Sequence, residues 1–455
     1  MGFFLSALYF VTYYLTPTTL FGSFAEARVE LILAAIVMIV SLPGLARSFV
    51  VRSPQLLALI GLAFAVLLSV LVGVHWAGGA VSGTLGFIPN AFAYMLVGLH
   101  CNSRKRLKVL VVLLVGVCIF VIARGYWELQ RGGAQLEALQ AGRIASSYLM
   151  AQRSDAGEWF YRLRGQGQIN DPNDFGQLIV CTIPLVFIFW RPRNALLNLL
   201  GVVLPVAALL FGVYLTHSRG ALLALLAIAI FAARRRIGTI PALLLAGGLF
   251  VAASALHFTG GREISATSGS DRTGLWGAGL QMLKSHPLFG VGYGNFADSA
   301  GLTAHNSIVV CAAELGLFGL FFWSLFLFPT VRDILTVASS AKVSEGELPE
   351  TGHTPLAARV RGPEILDKAE INRLGRLVAL SLTGFLVAGL FLSRAYVLTL
   401  FLLGGVAEAV FEMALQRGMV APRLKLVRIM AYAGILTVSL VLMMYVMVRV
   451  LNVMR

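Results

Sequence analysis

The 455-residue chain has little charge: 13% of its residues are Asp, Glu, Lys or Arg, whereas soluble domains carry about 25%. Hydrophobic residues make up 58% of the sequence, and the mean hydropathy is +0.83. This shortage of charge excludes an ordinary soluble globular protein and indicates a polytopic membrane protein. The length therefore accounts for membrane spans, and we treat residues 1–455 as a single integral membrane domain.

Cysteine is scarce too, and the usual motifs of metal and nucleotide sites are missing. The four cysteines stand singly in or beside apolar runs, without CxxC spacing, so we expect small buried apolar side chains. No H-E-x-x-H, H-x-E or D-x-D pattern occurs on the long polar stretches, which argues against a metal site. A Walker A sequence and a G-x-S-x-G elbow are also absent. We therefore predict no metal and no other cofactor, and any phosphate must be held by arginines.

Acidic residues are few: 21 Asp and Glu stand against 36 Lys and Arg, so the formal net charge is +15. The basic residues occur in short clusters between apolar runs rather than on one soluble face. This pattern is typical of topology signals and of contact with anionic membrane lipid, and it argues against nucleic acid as a partner.

Apolar runs of roughly 20 residues, long enough to cross a bilayer, predict an all-α polytopic membrane protein with about 12 transmembrane helices. We place these spans at residues 28–45, 55–74, 83–99, 107–124, 176–190, 195–216, 219–233, 237–256, 306–329, 377–392, 396–416 and 427–448. Segment 3–15 is a candidate thirteenth span. The N-terminus lacks the positive region and the cleavage site of a signal peptide.

The basic residues also predict the orientation, because connections rich in Lys and Arg alternate with connections that have almost none. The rich set is placed in the cytoplasm, together with a flexible polar loop over 331–376 that holds a short surface helix near 363–374. The opposite face receives two larger loops, 125–175 and 257–304. The side on which the C-terminus lies is left open.

Ionisable residues at the membrane edge are costly, so each cluster on the outer face is a candidate site. In the first cluster, Arg162 and Arg164 precede the sequence DPND (171–174) at the start of a span. Asn173 or Asp174 can cap the helix, which explains the turn but not the two arginines.

The second cluster is a tight outer turn with Ser218 and Arg219, and a similar turn holds Ser393 and Arg394. Arg219 could merely extend its guanidinium to lipid headgroups. Alternatively it faces the protein interior as an anion clamp, since a guanidinium fork matches two phosphate oxygens.

The third cluster spans 268–296, where Asp271 and Arg272 precede a predicted amphipathic helix. Behind that helix, the glycines of HPLFGVGYG allow close backbone approach or a positive φ. They do not follow a strand, so a dinucleotide-binding fingerprint is rejected. We interpret this turn as a hinge that positions the residues after it.

The fourth cluster begins at His305, at the outer mouth of a span. An imidazole with a near-neutral pKa can take a proton from an attacking hydroxyl, whereas the simpler interpretation is a helix cap completed by Asn306 and Ser307. Glu314 lies about 180° around the helix from His305, so we expect it to make a separate buried polar contact.

Together these stretches resemble the O-antigen ligase and polymerase superfamily, bacterial inner-membrane enzymes that use undecaprenyl-diphosphate-linked glycans. The resemblance is carried by THSRGALLALL, DRTGLWGAGLQMLKSHPLFGVGYGNF and AHNSIVVCAAELGLFGLFFW. The segments GQGQINDPNDFGQ and LFLSRAY are also similar to segments of many members, so the resemblance covers about residues 160–400.

The resemblance implies metal-independent glycosyl transfer at the periplasmic face of the inner membrane. It assigns His305 as the base that activates the acceptor hydroxyl and Arg219 as a contact to the donor diphosphate. Arg164 and Arg272 are expected to be further diphosphate ligands. Three residues are expected to support the site: Asn306, Asp271 and Tyr293.

The expected partners are an undecaprenyl-diphosphate-linked glycan donor, a glycan or lipid A-core acceptor, membrane lipid and a chain-length regulator. Three functions stay open. A polymerase of O-antigen or exopolysaccharide repeat units is favoured by the DPND element, which resembles exopolysaccharide-type members. A ligase would move finished glycan to lipid A-core or protein. A transporter of lipid-linked glycan would need a continuous polar path instead of a one-sided outer cavity.

Overall fold

The computed structural model describes residues 1–16, 29–45, 48–142, 146, 148–154, 157–255, 258, 266–340 and 356–453. The first part of the chain holds α1 Gly2–Leu15, α2 Val29–Leu45, α3 Pro54–Gly73, α4 Ala77–His100, α5 Arg104–Arg131, α6 Ala134–Gln140, β1 Leu149–Arg153 and β2 Trp159–Leu163. The second part holds α7 Pro172–Val186, α8 Ala195–Thr216, α9 Arg219–Ile237, α10 Thr239–Ala255, α11 Ala266–Ser285, α12 Phe296–Ala300, α13 Ser307–Ser339, α14 Leu356–Gly389, α15 Leu398–Gln416 and α16 Leu426–Val453.

The predicted polytopic membrane protein is confirmed in its general form. Within the described ranges, 9 helices are long and apolar enough to cross a membrane, and shorter apolar helices lie at Gly2–Leu15, Ile32–Leu45 and Thr239–Ala253. The number of crossings, twelve or thirteen, stays a prediction. An antiparallel hairpin of β1 and β2 adds a small sheet to the all-α fold that we predicted.

The predicted outer loops contain more regular structure than the sequence indicated. Over 125–175, α5 continues to Arg131 and is followed by α6 and the hairpin. Over 257–304, α11 begins at Ala266, ahead of its apolar residues. Asp271 and Arg272 therefore lie inside this helix rather than ahead of it.

The flexible connection predicted over 331–376 is wrong in its extent. Helix α13 continues to Ser339 because apolar side chains recur at helical spacing beyond the span, and Ile334 and Val337 are buried. Helix α14 includes the surface helix predicted near 363–374 and runs on into the span. Residues 341–355 of the connection lie outside the described residues.

The centre of the bundle is formed by α13 and α15, and the rim includes α16. In the apolar window of α15, 89% of the residues are buried, against 22% in α16. Helix α13 packs along α3, α14 and α16. The four cysteines are buried and unpaired, as predicted.

Helix α13 is interrupted two turns after it begins. Gly316 adopts φ 64° and ψ −165°, which is outside the helical region and suits a residue without a Cβ. The Leu317 N–H then donates to the Pro287 carbonyl at 2.8 Å instead of to its own helix. The polar turn that precedes the helix is therefore hydrogen-bonded to it at this break.

The three glycines of that turn, Gly290, Gly292 and Gly294, all have positive φ (70°, 108° and 82°). A Cβ on Gly290 would collide with the backbone of Glu314, and the Gly292 N–H donates to the Glu314 carbonyl at 3.1 Å. The buried Glu314 carboxylate accepts a hydrogen bond from the Phe296 N–H at 3.4 Å. The glycine turn is thus fastened to α13, and Glu314 makes the separate buried contact that we expected.

Candidate active site

A tight turn joins α8 to α9 and places Arg219 at the first position of the second helix. His217 takes the left-handed φ of 46°, and the Ser218 Oγ caps α9 by accepting from the Ala221 N–H at 3.3 Å. The Ser218 hydroxyl also donates to the Asn173 Oδ1 at 2.8 Å. The turn predicted from the sequence is present, and it is tied to the start of α7.

The start of α7 is capped differently from our prediction. Asp171, rather than Asn173 or Asp174, is the cap, and its Oδ1 accepts from the Asn173 N–H at 2.7 Å. Because Asp171 satisfies the backbone, the side chains of Asn173 and Asp174 can each bind a different loop. The DPND sequence therefore connects three parts of the site.

Arg162 is one of these connections, and the sequence prediction did not include it among the site residues. Its side chain lies on β2 and is buried; the Nε donates to the Thr216 carbonyl and an Nη to the Asn173 Oδ1, both at 2.9 Å. Burial lowers the pKa of Arg162 to about 10; the charge of Asp171 raises it and that of Arg219 lowers it. A guanidinium at the back of the turn thus adds positive charge beside Arg219.

Arg164, two residues further on, is half-buried and binds backbone. One Nη donates to the Ser146 carbonyl at 2.6 Å and the other to the Asn170 carbonyl at 3.3 Å. These bonds hold the ends of the loop around the hairpin. Its assignment as a diphosphate ligand stays a prediction, and its contacts are those of a structural residue.

His305 lies directly before α13 and is held by its backbone. Its N–H donates to the Ser393 Oγ at 2.8 Å, and its φ of 49° is left-handed. Asn306 caps α13 as expected, accepting from the N–H groups of Ile308 and Val309 at 2.9 and 3.2 Å. Within the described part of the chain, we find no hydrogen bond to the His305 imidazole.

The electrostatic surroundings of His305 favour the neutral imidazole. Partial burial lowers its pKa, the charge of Arg272 lowers it further, and Asp171 acts in the opposite direction. A neutral imidazole near pH 7 can accept a proton, which is the requirement for a general base.

Arg272 lies on α11, and its charge interacts with both His305 and Arg219. Its pKa is lowered, first by burial and then by the positive charge of Arg219. The same helix is fastened beside His305, because the Trp276 Nε1 donates to the Ala304 carbonyl at 2.9 Å. The structure therefore brings together three residues that lie far apart in the sequence: Arg219, Arg272 and His305.

The two other predicted supporting residues differ in what the structure describes. The Asp271 side chain lies outside the described residues, although its backbone belongs to α11. Tyr293 packs against Tyr396 with ring centroids 5.3 Å apart, and burial raises its pKa to about 12. The charge of Arg394 opposes that rise, so Tyr293 is a neutral side chain near a further arginine.

Arg394 was not predicted as a site residue, and it braces the loop between α14 and α15. Its Nε donates to the Asp174 Oδ1 at 2.6 Å, and a second contact to the other carboxylate oxygen makes the ion pair bidentate. Its N–H donates to the Ser307 Oγ at 3.0 Å, while that hydroxyl donates to the Leu392 carbonyl at 2.7 Å. The sequence feature that could have identified Arg394 is the pair Ser393-Arg394, which has the same residue types as Ser218-Arg219 at the other turn.

Several arginines and two described carboxylates, Asp171 and Asp174, set the charge of the site. Arg394 is paired with Asp174. The charges of Asp171 and Arg219 both act on Arg162, and the charge of Arg219 also acts on Arg272. Three guanidinium groups held near one another at a partly buried position attract a multiply charged anion such as a diphosphate. Among the described residues, no three His, Cys, Asp or Glu side chains converge as metal ligands would.

One comparison with known proteins bears on this region. Residues 204–324 match the family model described as O-antigen ligase. The matched segment contains Arg219, Arg272 and His305, but it ends before Arg394 and begins after Arg164. No curated protein matches the chain significantly.

Proposed function

Because the chain belongs to the O-antigen ligase and polymerase superfamily, we propose that it is a metal-independent inverting glycosyltransferase. The donor is a glycan on undecaprenyl diphosphate, and the acceptor is a hydroxyl group at the periplasmic face of the bacterial inner membrane. The observation that carries the proposal is that the charge of Arg272 acts on His305 and the charge of Arg219 acts on Arg272.

The reaction needs an oriented nucleophile and a stabilised leaving group. His305 takes the proton of the acceptor hydroxyl as its oxygen forms a bond to the anomeric carbon. The bond from that carbon to the diphosphate breaks on the opposite face, which inverts the configuration. One further negative charge then develops on the leaving diphosphate, and Arg219 and Arg272 stabilise it.

The remaining residues of the site serve this step indirectly. Arg162 adds positive charge behind the Arg219 turn, and Asn306 caps the helix that follows His305. Holding donor and acceptor in one orientation lowers the entropic part of the barrier. The left-handed backbone of His305 is consistent with a side chain that is aimed for function.

Among the possible products, we propose that the enzyme polymerises repeat units of O-antigen or exopolysaccharide, in cooperation with a chain-length regulator. The DPND sequence favours this choice, since it resembles exopolysaccharide-type members. Transfer of finished glycan to lipid A-core or to protein is the second candidate, favoured by the description of the matched family.

Reconstitution in proteoliposomes with lipid-linked oligosaccharide separates these candidates. Longer lipid-linked chains without added core support a polymerase, whereas product that forms only with lipid A-core supports a ligase. Movement of unchanged donor across the bilayer, without a new glycosidic bond, would support a transporter. Full transfer in the presence of EDTA is expected, and loss of transfer would overturn the metal-independent mechanism.

A further inference from the structure

The backbone around His305 is held by hydrogen bonds, although the segment before it is exposed. Residues 301–303 are exposed and lead into the fully buried Ala304. The Ala304 carbonyl accepts from the Trp276 Nε1 at 2.9 Å, and the His305 N–H donates to the Ser393 Oγ at 2.8 Å. In the part of the chain that the structure describes, no hydrogen bond fixes the imidazole itself. The direction of the ring therefore depends on its packing and on how its backbone is held.

The backbone of His305 needs such support because its conformation is strained. Its φ of 49° lies in the left-handed region, whereas Asn306 is extended, with φ −155° and ψ 120°. A residue that carries a Cβ keeps a left-handed conformation only where the surrounding structure enforces it. The bond from Ser393 acts on the N–H of the strained residue itself.

The Ser393 hydroxyl is held in place because its loop is fastened to α13 on both sides. The Ser307 hydroxyl bonds both to the Leu392 carbonyl at 2.7 Å and to the Arg394 N–H at 3.0 Å. The Trp323 Nε1 donates to the carbonyl of the following loop residue at 3.0 Å. The backbone directly before and after Ser393 is therefore fixed to the same helix that begins beside His305.

The same loop is also bound to the start of α7, on the side of the diphosphate ligands. Arg394 makes its bidentate ion pair with Asp174. The neighbouring Asn173 Oδ1 accepts from the Ser218 hydroxyl at 2.8 Å, one residue before Arg219. A continuous series of hydrogen bonds thus connects the loop that holds the histidine with the turn that carries Arg219.

We propose that Ser393 is the positioning residue of the base: its hydroxyl fixes the backbone of His305 and so aims the imidazole at the acceptor hydroxyl. The inference rests on the proposed function, because that function assigns His305 as the base. Ser393 lies 88 positions after His305 and outside the segment 204–324 that matches the family model. A displacement of about 1 Å between reacting groups can lower a rate about 100-fold, so a hydrogen bond that sets this distance matters for transfer.

A simpler interpretation is that Ser393 only stabilises its loop. In that case the loss of its hydroxyl would lower transfer whether or not the imidazole is present. If Ser393 instead acts through His305, the loss of its hydroxyl matters only while there is an imidazole to aim. The two interpretations therefore predict different results in a variant that lacks the histidine side chain.

Kinetics of three serine variants give the first readout. We expect Ser393→Ala to lower kcat about 10- to 100-fold, because it leaves the His305 N–H without its partner. The KM for the lipid-linked donor should change little, since the arginines are untouched. Ser393→Thr keeps the hydroxyl and should retain most of the activity. Ser381→Ala is the matched control, because Ser381 is a buried serine on α14 whose hydroxyl donates within its own helix to the Leu377 carbonyl at 3.2 Å.

A double-mutant cycle with His305→Ala gives the decisive comparison. On the residual transfer rate of His305→Ala, the additional change Ser393→Ala should have less than about a twofold effect, because no imidazole is left to be aimed. An equal fold loss in the wild-type and His305→Ala backgrounds would show that Ser393 is only structural.

Chemical modification of His305 reports its placement without relying on transfer. Diethyl pyrocarbonate acylates accessible imidazoles, and mass spectrometry of the digested protein measures the rate at each histidine. In Ser393→Ala, the rate at His305 should rise about two- to tenfold, as expected from one lost hydrogen bond. Ser381→Ala should leave this rate unchanged.

The outcomes separate this inference from the proposed activity. An unchanged modification rate in a folded Ser393→Ala, or an equal loss of transfer in both backgrounds, would overturn the positioning role while leaving glycosyl transfer intact. Absence of transfer in the wild type would overturn the proposed function, and the modification rate would still test whether Ser393 holds His305. If Ser393→Ala does not fold, Ser393→Cys gives the same comparison, because a thiol sulfur accepts hydrogen bonds only weakly.

Discussion

Two turns of the molecule carry the same Ser-Arg pair, and the surroundings of the two arginines differ. Arg394 makes a bidentate ion pair with the buried Asp174, so the positive charge of Arg394 is balanced within the protein. Arg219 instead acts electrostatically on two other arginines, Arg162 and Arg272. The comparison indicates that the same Ser-Arg sequence can be placed in different electrostatic surroundings, which are set by the segments packed against each turn rather than by the local sequence.

Replacing Arg219 should have the largest effect on transfer. Arg219→Ala removes a donor to the leaving diphosphate, and we expect kcat/KM to fall about 100- to 1,000-fold. Arg191→Ala, at an exposed arginine, is the matched control. Unchanged transfer in Arg219→Ala would remove the distinction between the two turns.

Replacing Arg394 should mainly affect stability. Arg394→Ala leaves Asp174 buried without its partner and should cost about 2 kcal/mol, less than for a fully buried pair because 34% of the Arg394 side chain is exposed. The apparent melting temperature measures this loss. The double variant Asp174→Ala/Arg394→Ala should recover part of it, and a double variant less stable than Arg394→Ala would argue against a brace.

The pH dependence of transfer tests the connection between Arg272 and His305. The pKa of His305 is below its ordinary value of 6.5, so the base is neutral at pH 7 and kcat/KM should fall only as the pH drops below that lowered pKa. Arg272→Gln removes a positive charge, so the pKa should rise and the acidic limb should move to higher pH. Arg131→Gln, at an exposed arginine, should not move it. An unshifted limb in Arg272→Gln would separate the two residues.

Arg164 should give the smallest effect. Because its guanidinium binds the carbonyls of Ser146 and Asn170, Arg164→Ala should lower transfer less than about tenfold, the loss of one or two ordinary hydrogen bonds. A loss as large as that of Arg219→Ala would instead restore Arg164 as a ligand of the diphosphate.

The features that the sequence predicted correctly are local turns and helix starts, whereas the roles of the site residues stay predictions. Arg219 beside a Ser cap, and Asn306 at the start of an apolar run, follow the rules for helix termini. The apolar runs located the helices for the same reason. Helix ends were less predictable, since the apolar residues that continue α13 past its predicted span, Ile334 and Val337, lie among polar residues.

Long-range pairing accounts for what the sequence did not predict. Asp174 and Arg394 are 220 residues apart, and no local rule joins them. Asn173 or Asp174 was predicted to cap α7, but Asp171 is the cap, and the Asn173 side chain instead binds two other segments. The break at Gly316 depends on the turn that docks into it, which is also invisible along the chain.

Glycosyl transfer by two histidine variants tests the central claim most directly. His305→Ala and His286→Ala remove, respectively, the proposed base and an exposed histidine 19 positions earlier. In proteoliposomes with lipid-linked donor and acceptor, His305→Ala should reduce the rate about 100- to 10,000-fold, whereas His286→Ala should match the wild type. Wild-type transfer in a folded His305→Ala would contradict the account.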